Sequence, residues 1–199
     1  RLWKNSTVSI FYLKKYIIKI EKHEMEDLEK IQKIIENLKL QMQEQKCIYR
    51  WLEDGTIDKV VCKFNAPIEL EELQKIHQKY PNIKLPESYI AFLKCSNGAQ
   101  LYESLTCKAS TICTIYSLQE AFVHRENLHQ SILFQNEDTK DLLPILLLED
   151  IGEIFLDTKV SDGEKYLLYP FPEDKRFPYS FADWLGKFVV AQGNEYWNW

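Results

Sequence analysis

Seven consecutive apolar residues, Leu142–Leu148 (LLPILLL), constrain this chain more than any other stretch. The run is too short to cross a bilayer, which takes about 20 apolar residues. Bounded by turn residues, it reads as a strand buried on both faces, and such a strand needs a covering layer on each side of its sheet. Pro144 sets a condition on it, because proline donates nothing to a sheet ladder. Glu149-Asp150 turns the chain into a second strand, Gly152–Asp157 (GEIFLD). Residues 161–164 turn it again into a third strand at residues 165–169. The three form an antiparallel meander.

The rest of the chain supplies helices and further strands. Between residues 24 and 46, Met25, Leu28, Ile31, Ile35, Leu38 and Met42 recur at steps of three and four, one apolar stripe on a helix. Two β-rich runs follow, residues 47–52 and Ile57–Phe64, joined by a Glu-Asp-Gly-Thr hairpin loop. Asn65-Ala66-Pro67 opens a helix with Pro67 in its first turn, and Pro81 ends it. A short helix begins at Pro86, turns Tyr89, Phe92 and Leu93 inward, and closes at Asn97-Gly98. Residues 111–116 are a strand. Ser117 and Glu120 match the S-x-x-E capping box, opening a helix to about residue 134. Pro170, Pro172 and Pro178 mark an irregular connection. Ser180 and Asp183 then cap a final helix that aligns Phe181, Trp184, Leu185, Phe188 and Val189, and Gly193 ends it. The expected fold is α+β: a single domain whose central, mostly antiparallel sheet is flanked by helices and preceded by an N-terminal helix.

Charge narrows the function. The chain carries a net −5, but its first 22 residues hold six Lys/Arg against one acid, and the remaining 177 hold 19 bases against 29 acids. An acidic body repels nucleic-acid phosphates, which argues against direct nucleic-acid binding, and it steers encounter with a basic protein. Solubility alone is the competing account of the same charge. Residues 9–20 are apolar, but Lys14, Lys15 and Lys19 interrupt them, so they read neither as a membrane span nor as a signal peptide. The domain boundary is drawn at Met25, giving a domain at residues 25–199. Residues 1–24 are a basic extension, with a membrane-surface segment as the rival reading. Five cysteines, Cys47, Cys62, Cys95, Cys107 and Cys113, are an odd number without a CxxC pair, which points to reduced thiols in a cytoplasmic protein.

Candidate chemistry is sparse. His124 and His129 lie five apart, whereas a zinc-binding helix places two His four apart. No G-x-S-x-G elbow, P-loop or G-x-G-x-x-G occurs. No catalytic residue, cofactor or metal is expected. Glu149, Asp150, Glu153 and Asp157 flank one hairpin. On one strand face, Glu153 and Asp157 stand about 13 Å apart, too far to share an ion. The four read either as an ordinary polar turn or as an acidic rim for a basic partner. Among the tryptophans, Trp51, Trp184, Trp197 and Trp199 suggest a stacking platform. Trp184 belongs to an apolar helical stripe and is core, while Trp197 and Trp199 share one side of an extended tail, docked on the domain or, as the rival reading, set against a partner.

Three stretches together resemble the SUKH superfamily, which includes the yeast cell-wall-assembly regulator and bacterial toxin-immunity proteins. The first is Leu85, Pro86, Tyr89, Phe92 and Leu93 followed by Asn97-Gly98. The second runs from Leu143-Pro144-Ile145 to the strand that opens at Gly152 and ends at Asp157. The third is the helix start bearing Phe181 and Trp184, with Trp where the family has Phe. Ala99 departs from the family's second glycine. The resemblance covers roughly residues 66–192. It implies a non-catalytic protein-binding domain, an immunity protein that neutralises a cognate secreted toxin such as a nuclease, with a cell-wall-linked regulator or scaffold as the alternative.

Overall fold

The computed structural model describes residues 5–52, 54–107, 110–130, 139–160, 165–169 and 175–198, with the backbone alone at 5–24, 175 and 198. Its strands are β1 (Ile48–Trp51), β2 (Ile57–Phe64), β3 (Ala99–Ser104), β4 (Thr111–Ile115), β5 (Leu142–Leu148), β6 (Gly152–Asp157), β7 (Leu167–Tyr169) and β8 (Lys175–Phe177). They form one sheet in which each strand pairs antiparallel with its neighbour in sequence. The helices are α1 (Asn5–Gln45), α2 (Leu70–Lys79), α3 (Glu87–Cys95), α4 (Leu118–Gln130) and α5 (Phe181–Val190), and a 3-10 turn covers Tyr196–Asn198. The α+β class, the antiparallel sheet and the N-terminal helix all stand as the sequence implies. Among the described residues, no helix is long and apolar enough to cross a membrane.

The two-sided burial of β5 has a direct cause. Phe155 lies opposite both Pro144 and Leu168, and Leu142 lies opposite Asp157, so these side chains share one face. There Leu128 of α4 packs against Leu142, Phe155 and Leu168. On the other face Leu143, Leu156 and Leu167 join a core built with α1, α3 and α5, which pack on one another. Only Leu147 of β5 is exposed, at 39%. Pro144 is accommodated because the pairing register shifts between it and Leu146. The Ile145 carbonyl turns instead to accept the Tyr116 N–H at 2.9 Å.

Several expectations need correction. The first helix begins at Asn5 rather than near Glu24, and its buried stripe is Ile31, Ile35 and Leu38, with Met25 exposed. The next helix begins at Leu70, not at Pro67. Residues 65–68 are drawn out instead and laced to the end of α3: Asn65 N–H to Gly98, Ile68 N–H to Leu93 and Asn97 N–H to Ala66, all near 3 Å. Strand β3 carries no alternating pattern, because Tyr102 adopts φ +61° and is buried beside buried Leu101. β8 lies within the proline-marked connection. The tail is a 3-10 turn rather than an extended strand. Residues 131–134 of the expected fourth helix, the turn at 161–164, Pro170, Pro172 and Trp199 lie outside the described residues.

The Asn97-Gly98 step ties three segments together. Asn97 Oδ1 accepts the Leu118 N–H at 2.8 Å, satisfying the first turn of α4, and the Asn97 carbonyl accepts Asn65 Nδ2 at 2.7 Å. Ser96 Oγ donates to the Gly98 carbonyl at 2.7 Å. At the start of α4, Ser117 and Glu120 form the capping box, with the Ser117 N–H donating to Glu120 at 2.8 Å.

A second buried knot joins α3 to α5. The Phe181 N–H donates to Tyr166 Oη at 2.6 Å and to Ser88 Oγ at 3.2 Å, and the two hydroxyls lie 2.6 Å apart. Tyr166 and Ser88 are both buried. Tyr166→Phe is expected to lower stability by about 1–3 kcal/mol, because it leaves a buried N–H with only its longer acceptor. Urea unfolding of the two proteins checks this, and an unchanged midpoint contradicts it.

After α5 the tail reaches both sheet edges. Arg50 of β1 donates from Nε to the Gln192 carbonyl at 2.8 Å and from its terminal nitrogen to Asn194 Oδ1 at 2.7 Å. Three residues later, Trp197 sets its ring edge-to-face with Phe177 of β8, centroids 5.4 Å apart. One short strap, with the side chains of Arg50 and Trp197 at its ends, thus links the two edge strands of the sheet.

Candidate protein-binding surface

The four hairpin acids do not form one rim. Glu153 is largely buried and engaged: the Tyr116 hydroxyl donates to its Oε1 at 3.0 Å, and His124 Nδ1 lies 3.0 Å from the same atom. The His124 and Tyr116 rings stack at 4.2 Å. Burial, together with the Glu153 charge, pushes the Tyr116 phenol well above its ordinary range, so it keeps its proton and donates. Asp157 is likewise held in a pair with Arg176 at 2.9 Å. Glu149 and Asp150 remain on the exposed β5–β6 turn, where Ser110 Oγ donates to Glu149 at 2.7 Å.

The tryptophans also separate. Trp184 is fully buried in the core, stacked on Phe188. Trp51, 61% exposed, shares a β1–β2 face with Tyr49 and Ile57 on the first edge strand, while Trp197 packs on the last. Among the described residues the tryptophans form no shared platform.

Asp150 stands instead beside a cleft of about 220 Å³ that lies between the β5–β6 turn and the tail. Ile151, with buried Ile154 and Phe177, lines it from the sheet. Tyr169 and Trp197 add two partly buried rings, and Glu195 adds a second acidic residue. The Tyr169 hydroxyl donates to the Ile151 carbonyl at 2.7 Å, fixing one wall. Of these residues, sequence reasoning singled out Asp150 and Trp197 alone. The others come from four separate stretches and carry no motif.

Three of the thiols are held in the protonated form, whereas nucleophilic work needs a thiolate. Burial pushes Cys62 up to about 11 and drives Cys113 further above its ordinary range, and it raises Cys95 as well. Cys107 is exposed, and all five are free. An aromatic disulfide reagent is expected to modify Cys107 rapidly in the native protein and Cys95 slowly. Cys47, Cys62 and Cys113 should react only once denaturant is added, and fast native labelling of Cys62 or Cys113 contradicts this. Among the described residues, no three His, Cys, Asp or Glu side chains gather to hold a metal ion.

Residues 67–189, from just before α2 to near the end of α5, match the SMI1 / KNR4 family (SUKH-1). The chain is also similar to an uncharacterized protein of Bacillus subtilis (strain 168), YobM. The two are 25% identical over 175 residues, which cover 85% of this chain and 91% of that protein. The matched span takes in the Leu85-Pro86 helix, the Asn97-Gly98 knot, the β5–β6 hairpin and the Phe181–Trp184 helix start, and the chain belongs to the SMI1 / KNR4 family (SUKH-1).

Proposed function

We propose that the protein is a non-catalytic binding domain working in the cytoplasm, an immunity protein that captures and blocks one cognate toxin. Family membership over residues 67–189 is the observation that carries this reading. The acidic balance of the chain supports a basic toxin, because complementary fields speed capture and favour the matched partner. Neutralisation then needs only coverage of the toxin's working surface by a preformed one, without chemistry from this chain.

The test is co-expression with the toxin-like product of a neighbouring gene. Copurification of the two proteins and rescue of growth are expected. A neighbouring product that is harmless, or that kills equally with and without this protein, rejects the immunity reading. A wall-integrity defect on deletion, with no toxin in play, favours the regulator or scaffold instead.

A further inference from the structure

We propose that the cleft between the β5–β6 turn and the tail receives one arginine side chain presented by the partner protein. It rests on the protein-binding reading above for a single point, that the arginine belongs to a protein.

The lining combines two kinds of group in about 220 Å³: the rings of Tyr169, Phe177 and Trp197, and the carboxylates of Asp150 and Glu195. A guanidinium suits both, since its planar face lies on aromatic rings while its edge N–H groups pair with carboxylates in a fixed fork. Lysine presents a compact, strongly hydrated point charge that uses the rings less well. An anionic ligand meets the exposed Asp150 carboxylate there. The volume falls below the roughly 300–1,000 Å³ of a small-molecule pocket, and one inserted side chain is the better match.

The walls are held before anything binds. Tyr169 is anchored on the Ile151 carbonyl at 2.7 Å. Trp197 is wedged between Phe177 and Tyr196, each edge-on at 5.4 and 5.0 Å. The tail entering the cleft is tied down at Asn194 by Arg50. A preformed slot loses little freedom on binding, which is how a single side chain becomes an anchor at an interface.

The test uses the full chain and end-blocked Gly-Arg-Gly, Gly-Lys-Gly and Gly-citrulline-Gly peptides. The readout is the Trp197 indole N–H signal in NMR, assigned with Trp197→Phe. The arginine peptide is expected to give a saturable shift, with the lysine and citrulline peptides at least about tenfold weaker. The Asp150→Asn/Glu195→Gln double variant removes both carboxylate charges with little change of side-chain shape, and should weaken the arginine peptide by about tenfold or more. Absence of a saturable shift, equal response to lysine, or full-strength binding by the double variant each overturns the proposal.

A second arm separates this proposal from the immunity reading. A toxin that binds the double variant as tightly as the native chain removes the cleft from the interface and leaves immunity standing. An arginine-specific cleft in a protein that neutralises no toxin leaves the cleft standing and removes immunity.

Discussion

Gly98→Ala should cost about 3 kcal/mol or more, a large share of the roughly 5–15 kcal/mol that holds a domain together. Two costs coincide at this position. Gly98 sits at φ +98°, where an L side chain is strained by about 1–3 kcal/mol. An added Cβ would also stand 2.8 Å from Asn65 Nδ2, 2.8 Å from the Ser117 nitrogen and 3.1 Å from the Ile115 carbonyl. Two of those atoms are backbone, and the third belongs to a side chain already bonded to Asn97, so relief would have to come from moving α4 or β4. Such overpacking adds about 1–3 kcal/mol. Gly55 is the internal control: its φ is +81°, but nothing lies within 4 Å of the added carbon. Gly55→Ala should therefore lose only about 1 kcal/mol. Urea midpoints of the two variants measure the contrast, and equal losses would show that the crowding around Gly98 carries no weight.

Trp184→Ala is expected to destabilise by about 3–5 kcal/mol, by loss of apolar contact and by the cavity left behind. The ring is fully buried, stacked on Phe188 at 5.0 Å with planes 11° apart, and flanked by Phe181 at 6.0 Å. Trp184→Phe should lose clearly less, about 1–2 kcal/mol. It keeps a ring in the slot and removes an indole N–H that finds no acceptor among the described residues. Thermal and urea unfolding of the three proteins decide it, and a Phe variant as damaged as the Ala variant would show that the indole makes a contact of its own.

Legibility in the sequence followed how locally each element is specified. β2, β5 and β6 were read to the residue because their boundaries are marked by turns and their apolar content is continuous or alternating. α5 was read as well, since Ser180 caps it through the Asp183 N–H and its stripe is complete. β3 was missed because the positive φ at Tyr102 puts two buried residues side by side and breaks the period of two. β8 is three residues long and gains its order from pairing with β7. α2 looked longer because Pro67 suits a helix start, and only the bonds to α3 reveal that the preceding residues are tethered elsewhere.

The same distinction governs the binding surface. Glu153 and Asp157 looked available because their own strand gives no hint of their partners. Tyr116, His124 and Arg176 come from neighbouring elements in space. Asp150 and Trp197 were each visible singly. Their meeting depends on the strap after α5, which has no local signal.

The unbroken meander has a kinetic consequence. Because every strand pairs with its sequence neighbour, each pairing closes only a loop, one helix or, between β2 and β3, two helices, so the sheet can assemble as the chain leaves the ribosome, strand upon strand. The interactions that must wait are those spanning the chain: α1 against α5, and the tail against β1. The part of α1 that meets α5 thus stays uncovered until the last helix has been made, although α3 covers its neighbouring face earlier, and final closure is the step at which a nascent chain is most open to mispairing or proteolysis.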